Sequence, residues 1–451
     1  MADVRRILIA APHSGAGKTT VTMALLSAFR ARGLRMTAFK CGPDYIDPMF
    51  HTEALQIPCR NLDLFLSTED TVRGLLYAHG TDSDLCALEG VMGYYDGVNN
   101  TEEASSYHLA KATKTPTVLV VQAKGAALSL AAQIKGFQTF RTPSGIEGVI
   151  LNGCHKAQYE KMKPLLEAET GLRLFGYFPP REDCAVKSRH LGLVTADELS
   201  DLQERLERLG QQAEESLDLE GLLHLAASAP QMAGALPKCE PVTQHRPRIA
   251  VARDAACCFY YADNLALLEQ LGAELIFFSP LKDALLPKGT AALYFGGGYP
   301  ELYAEALSNN TSMRESVRLA VRNGMPTVAE CGGYLYLHER LDGHQMAGVI
   351  PASAYRTERL QRFGYQVLTA QRDTLLLKKG ETLRAHEFHY WESDAMGDAC
   401  EAQKPDGRTW NCIIGNESLF AGFSHLYFYS NPEIAARFVQ QAAAYGETHG
   451  F

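Results

Sequence analysis

From Arg5 to about Pro180, short apolar runs alternate with stretches of helical period. RRILIAAP, MTAFK, DLCALEG, TPTVLVVQ, IEGVILNG and RLFGYFP read as strands, and TTVTMALLSAFRARG and AALSLAAQIKGFQTF as helices. This alternation predicts a parallel sheet with crossover helices. A polar helical stretch, ADELSDLQERLERLGQQAEESLDLEGLLHLAA, follows, and SAPQMAGALPKCEPVTQHRPR then breaks the period with Pro, Gly, Ser and Gln. Alternation resumes with RIAVARD, NLALLEQLGAELIFFSP, AALYFGGG, a helix over AEALSNNTSMRESVRLAVRNG and the strand PTVAECGG, and gives way to a mixed β-rich region over about 345–428. The expected architecture is two α/β domains in tandem: residues 1–225, a linker at 226–247, and residues 248–451.

With 451 residues the chain is long enough for two or three separate cores. Its 46% hydrophobic and 21% charged residues exclude disordered and fibrous classes. A formal net charge of −9 attracts no polyphosphate backbone, so nucleic acid is not an expected partner. Apolar runs fall short of the roughly 20 residues of a membrane helix. The opening MADVRRILIAAPHSG passes into a polar Gly-rich turn rather than a cleavage site. A cytoplasmic protein with no membrane partner is expected. The 11 cysteines are odd in number and lack CxxC pairs, which reads as reduced thiols.

The segment Ala11-Pro12-His13-Ser14-Gly15-Ala16-Gly17-Lys18-Thr19-Thr20 joins an apolar strand to a helix. Backbone N–H groups over Ser14 to Thr20 at such a junction can cradle phosphates, with Lys18 on the β- and γ-phosphates and the Thr19 hydroxyl on Mg²⁺. Pro12 stands where the usual pattern has its first Gly, so the loop is a variant. A P-loop alone specifies a nucleotide and not a reaction. Lys40-Cys41-Gly42-Pro43-Asp44-Tyr45-Ile46-Asp47-Pro48 puts a cation and two carboxylates at the end of the next strand, where α/β sheets gather ligands; a solvated acidic turn is the plainer reading of those residues alone. DLCALEG ends in Glu89, the usual position of an Mg²⁺-contacting carboxylate in P-loop proteins, and Asp96 follows in a Gly-rich turn. Thr19, Asp47 and Glu89 form a sensible oxygen donor set for Mg²⁺ with ATP.

In the second half, Pro326-Thr327-Val328-Ala329-Glu330-Cys331-Gly332-Gly333-Tyr334 runs from a strand through a sharp turn into the helical YLYLHERL. This is nucleophile-elbow architecture, and the helix N-terminus is expected to lower the Cys331 thiol pKa. Gly297 and Gly298, after the strand AALYF, and Gly332 could present N–H groups to an oxyanion. His425 in SHLYF is the chosen base. His386 and His389 lack a third ligand at fitting spacing, so a substrate-site or structural role is expected of them before a metal.

Taken together, PHSGAGKTT, KCGPDYIDPMFH, LEGVMGYYDG, RHLGLV, VARDAACCFYY, FGGGYPE, ECGGYLYL, HEFHYW and SHLYF resemble the cobyrinate a,c-diamide synthase family over essentially the whole chain. The resemblance implies a dethiobiotin-synthetase-like P-loop domain fused to a class I glutamine amidotransferase domain. It implies that ATP phosphorylates peripheral carboxylates of a corrinoid and that ammonia from glutamine converts them to amides. By the same resemblance Cys331 is the glutaminase nucleophile and His425 its activator. Lys18, Thr19, Asp44, Asp47, Glu89 and Asp96 match the family's phosphate, metal and acyl-phosphate site, with Asp44 and Asp96 on the acyl-phosphate side, and Lys40 is expected among the ATP-binding residues. Tyr427, Phe423 and Trp391 depart from the family pattern. Glu433 and Glu387 are both candidates for the acidic third member of the triad, and Arg189, His190 and the His386–His389 strand for carboxylate recognition. Hydrogenobyrinate or nickel sirohydrochlorin would suit the same chemistry, and a P-loop regulatory module with a degenerate amidotransferase domain is the non-enzymatic alternative.

Overall fold

The computed structural model describes residues 4–184 and 196–450; Arg189 and His190 lie outside them. The chain divides into two compact units, Met1–Leu236 and Pro237–Phe451. The first is built on seven parallel strands: β1 (Arg6–Ala10), β2 (Met36–Cys41), β3 (Cys59–Leu62), β4 (Leu85–Glu89), β5 (Thr117–Gln122), β6 (Ile146–Asn152) and β7 (Arg173–Phe178). Their order is β3-β2-β4-β1-β5-β6-β7, which sets β1 between β4 and β5 and β4 between β2 and β1. Both sheet faces are covered, so β1, β2 and β4 are buried throughout their length. The four-residue β3 is too short to show a period, and the apolar pattern does not reveal it.

The long polar helical stretch is two helices, Ala196–Ser216 and Leu219–Ala227. They break because the Asp218 side chain accepts from Gly221 N at 2.9 Å and caps the second. The buried Leu202, Leu206, Leu209 and Ala213 pack in one core with Ala24 and Ala28 of the helix Lys18–Ala31. Each buried leucine contributes about 1.5–3 kcal/mol. The segment read as linker divides at Leu236. Its first part is bonded into the first unit, where buried Arg6 Nη2 donates to Pro230 O at 2.7 Å.

The second unit holds two sheets. In the first, β8 (Arg248–Ala252), β9 (Glu274–Phe278), β10 (Thr290–Phe295) and β11 (Thr327–Glu330) join β18 (Ile414–Gly415) and β19 (Leu419–Gly422) in the order β18-β19-β11-β10-β8-β9. The second contains β12 (His338–Leu341), β13 (His344–Gln345), the long β14 (Ile350–Ala370), β15 (Thr382–Ser393), β16 (Cys400–Gln403), β17 (Thr409–Cys412) and β20 (His425–Leu426). Two expectations change here. The helix expected over 304–324 is broken at Asn310, whose amide donates to Pro280 O at 2.9 Å and whose oxygen caps the helix Thr311–Arg322. YLYLHERL is not one helix: Gly332–Leu337 is helical and HERL is β12. His338 enforces the change, its ring nitrogens lying 2.8 Å from Tyr334 O and 2.6 Å from Ser393 Oγ. Among the described residues no helix is long and apolar enough to cross a membrane.

Candidate active site

The adjacency of β1, β2 and β4 brings their C-terminal ends together, and with them the three acidic and glycine-rich segments singled out above. The turn after β1 leads into the helix Lys18–Ala31 through Gly17, at φ 96°. A Cβ at Gly17 would lie 2.0 Å from Asn152 Nδ2, and that amide donates to Ala16 O at 2.9 Å. Both the left-handed backbone and this close approach require glycine. Ser14 and Gly15 are exposed on the turn, and Thr20 is half-buried in the first helical turn. Lys18 Nζ donates to Met92 O at 2.5 Å, tying the glycine-rich turn after β1 to the segment after β4. Burial, then repulsion from Lys40, lowers the Lys18 pKa.

Lys40 and Glu89 are register partners across β2 and β4. Lys40 Nζ lies 2.6 Å from Asp47 Oδ2 and 2.9 Å from Glu89 Oε1. Thr19 Oγ1 donates to Glu89 Oε1 at 2.6 Å, and His51 Nε2 stands 3.3 Å from Glu89 Oε2. Burial works against the Lys40 charge, but Glu89, Asp47 and Asp44 outweigh it and hold the amine protonated. Burial likewise opposes the Glu89 charge, and Lys40, His51 and Thr19 hold that carboxyl well below its usual range. Asp47 differs: burial, with Glu89 and Asp44, outweighs Lys40 and pushes it up to about 6.

Thr19, Asp47 and Glu89 thus converge as hard oxygen donors around one cationic side chain. Among the described residues no set of three or more His, Cys, Asp and Glu could by itself hold a metal ion. A metal at this place would take phosphate oxygens as well, which suits Mg²⁺. Asp44 Oδ1 accepts from Ile46 N at 2.8 Å and Asp47 N at 3.4 Å, which starts the helix Ile46–Glu53 and aims Asp47. Asp96 Oδ2 accepts from Gly93 N at 3.1 Å and closes its own loop. His51 was not among the expected residues; its signal was the i, i+4 spacing from Asp47 on one helix.

In the second unit Cys331 follows β11 directly, with φ 43° and ψ −101°. That strained backbone is maintained by its N–H, which donates to Gly422 O at 2.8 Å at the end of β19. His425 comes three residues later in β20, paired to His386 of β15. Its Nδ1 lies 3.7 Å from Oε2 of Glu330, while the Tyr294 hydroxyl donates to Glu330 Oε1 at 2.8 Å. Glu330 is therefore the carboxylate facing His425. Of the two acids considered, Glu387 is engaged with Ser424 at 3.2 Å, His389 at 3.4 Å and Arg362 at 3.6 Å, and Glu433 sits in the first turn of the C-terminal helix. Asn264, also unforeseen, pins SHLYF by donating to Leu426 O and accepting from Phe428 N, each at 2.8 Å.

The glycine loop lies against this group. Gly296 O accepts from Gly333 N at 3.0 Å, and Gly297 O from Cys258 N and Phe259 N at 2.9 and 3.0 Å. A Cβ on Gly297 would come 2.5 Å from His425 Cε1, and one on Gly332 would come 2.8 Å from Gly298 N. Gly297, Gly298, Gly332 and His425 are thus gathered at the cysteine turn. The expected lowering of the thiol pKa is not found. Burial, then the charges of Glu301, Glu387 and Glu330, push the Cys331 thiol up. The helix after it has only six residues, too short a dipole to offset burial. Phe423 stacks on His389 at 3.8 Å, and Tyr427 packs edge-on to Tyr261. Burial lowers the His386 pKa to about 3.

Residues 7–194 match the CobQ/CobB/MinD/ParA nucleotide binding domain family, and residues 248–433 the CobB/CobQ-like glutamine amidotransferase domain family. A cobyrinate a,c-diamide synthase of Caldanaerobacter subterraneus subsp. tengcongensis is 37% identical over 98% of this chain and 99% of its own length. Those of Listeria innocua and Clostridium acetobutylicum are each 38% identical, over 96% and 97% of this chain and 98% and 100% of theirs. Among solved structures, a glutamine amidotransferase is 18% identical over 43% of this chain and 98% of its own, with a TM-score of 0.32. With a nucleotide-binding half, an amidotransferase half and full-length relatives of one name, the chain belongs to the cobyrinate a,c-diamide synthase family.

Proposed function

We propose that this protein is an ATP-dependent carbon–nitrogen ligase that amidates the a and c acetate carboxylates of cobyrinate with ammonia drawn from glutamine. One observation carries the reading. A single chain holds a phosphate loop whose Thr19 meets Lys40, Asp47 and Glu89 in one cluster, and a strained Cys331 turn set against a glycine loop and the Glu330–His425 pair.

In the first unit, Lys18 and the N–H groups over Ser14 to Thr20 hold the β- and γ-phosphates of ATP. Lys40 offsets the negative charge where the substrate carboxylate approaches the γ-phosphorus. A carboxylate oxygen attacks that phosphorus, the bond to ADP breaks, and an acyl phosphate results. Asp44 and Asp96, fixed at the ends of their loops, flank the acetate arm. Thr19, Asp47 and Glu89 would hold Mg²⁺, which when bound supplies positive charge to the phosphates.

In the second unit, Cys331 Sγ gives its proton to His425 as the sulfur attacks the side-chain amide carbon of glutamine. Because burial raises the thiol pKa, a base at His425 is needed to take the proton. N–H groups of Gly297, Gly298 and Gly332 receive the oxyanion. His425 returns the proton to the departing ammonia, and water hydrolyses the thioester to glutamate. Ammonia attacks the acyl phosphate carbon and inorganic phosphate leaves. A cytoplasmic location, where ATP and glutamine are supplied, belongs to the same reading.

The test is mass spectrometry of cobyrinate with enzyme, Mg-ATP and glutamine, with hydrogenobyrinate and nickel sirohydrochlorin in parallel. Two successive exchanges of OH for NH₂, strongest on cobyrinate, are expected. No exchange on any ring, with ATP and glutamine still hydrolysed, would overturn the substrate. Cys331→Ala should abolish glutamine use while free ammonia still supports ATP-dependent product; loss of both would make the cysteine structural.

A further inference from the structure

His51 is buried in the first unit, and none of the steps above uses it. It lies in the last turn of the helix Ile46–Glu53, whose first turn carries Asp47. The four-residue spacing sets both side chains on one face of that helix. The structure turns this face to the Lys40–Glu89 pair: Asp47 Oδ2 lies 2.6 Å from Lys40 Nζ, and His51 Nε2 lies 3.3 Å from Glu89 Oε2. The other ring nitrogen, Nδ1, is buried with no hydrogen-bond partner among the described residues. Leaving a buried polar atom unpaired is costly, and an apolar side chain would fill the space without that cost. What the imidazole supplies here is therefore its Nε2.

The two oxygens of Glu89 are divided between partners. Oε1 accepts from Thr19 Oγ1 at 2.6 Å and lies 2.9 Å from Lys40 Nζ. Oε2 faces His51. An ionised carboxylate only accepts hydrogen bonds, so Nε2 carries the hydrogen that it presents to Oε2. Held from both ends, the carboxylate keeps Oε1 towards Thr19 and cannot swing to present both oxygens there.

That restriction separates two hard cations. Ca²⁺ gathers about six to eight oxygens and readily takes both from one carboxylate, whereas Mg²⁺ demands a compact octahedron and completes it with phosphate and water oxygens beside one or two carboxylates. We propose that His51 is a positioning residue that confines Glu89 to contact through one oxygen and thereby selects Mg²⁺ over Ca²⁺ beside the bound nucleotide. The inference rests on the reading of Thr19, Asp47 and Glu89 as the residues that hold the metal.

The test is calorimetry on the full chain with the β,γ-imido analogue of ATP, in excess Mg²⁺, in excess Ca²⁺ and in EDTA. In the unaltered protein Mg²⁺ should tighten binding more than Ca²⁺ does. His51→Leu keeps bulk and loses the donor, and the ratio of the Mg²⁺ to the Ca²⁺ affinity should fall about 10-fold, within the range for losing a hydrogen bond to a charged group. His51→Gln sets a side-chain N–H near the place of Nε2 and should keep most of the ratio. Should His51→Leu fold poorly, His51→Asn, whose amide stops near the place of Nδ1, supplies the same loss. An unaltered protein without preference for Mg²⁺, an unchanged ratio in the variants that lack the donor, or an equal fall in His51→Gln would each overturn the proposal. Binding that is equal in EDTA and Mg²⁺, and indifferent to Glu89→Gln, would overturn the metal reading of the cluster itself, a distinct result.

Discussion

Glu330→Gln isolates the part played by the carboxylate beneath His425. In the proposed mechanism His425 becomes an imidazolium during thioester formation, and at 3.7 Å from Glu330 two unit charges interact by about 4 kcal/mol at an effective dielectric near 20. The glutamine amide retains size and an acceptor oxygen, and the Tyr294 hydroxyl that donates to Glu330 at 2.8 Å keeps an acceptor. The net loss should therefore be about 2–3 kcal/mol, or roughly 100-fold in the glutaminase kcat. The assay is glutamate production under saturating glutamine, with the melting temperature taken on the same sample. An unchanged kcat would refute the reasoning, because it would mean that Glu330 is protonated in the working enzyme or serves only to fill space. A fall in melting temperature that accounts for the whole loss would refute it equally.

Three further outcomes are expected. Gly297→Ala places a Cβ 2.5 Å from His425 Cε1, so the imidazole must move, and glutaminase kcat should fall by about 100-fold with ATP turnover retained; normal glutaminase kinetics would show the loop yields instead. Glu89→Gln removes the charge shared by Lys40 and Thr19 and should weaken Mg-ATP turnover by about 2–3 kcal/mol while leaving glutaminase activity intact, as two separate assays can establish; unaltered ATP turnover would sink the metal assignment. His338 is held neutral by burial, its pKa lowered to about 4. An unfolded histidine takes its proton near pH 6.5, so the stability this group contributes is complete above 6.5 and is lost as pH falls towards 4, by about 1.4 kcal/mol per pH unit. A denaturant midpoint for the second unit that stays flat between pH 6.5 and 4.5 would contradict this.

Where local geometry depends on neighbours along the chain, the amino-acid pattern alone was enough. The turn from β1 through Gly17 into Lys18 and Thr19 is one local unit, as is Glu330-Cys331-Gly332 at the end of β11, and each announces a strand, a sharp corner and a helix. The alternation of apolar and helical runs likewise determined two α/β halves. Tertiary structure decided what depends on residues far apart in sequence. β11 and β19 are parallel neighbours, with Glu330 opposite Gly422, and only that pairing brings His425 to Glu330 across 95 positions of chain; the sequence had left the acidic partner open between Glu387 and Glu433. HERL carries a helical pattern, but His338, bonded to Ser393 of β15, turns it into a strand. The thiol pKa moved against the local expectation because burial and two carboxylates far along the chain, Glu301 and Glu387, with the adjoining Glu330, outweigh a six-residue helix. Local propensity and turn geometry are written in short stretches, whereas desolvation and charge pairing are sums over whatever the folded chain brings near.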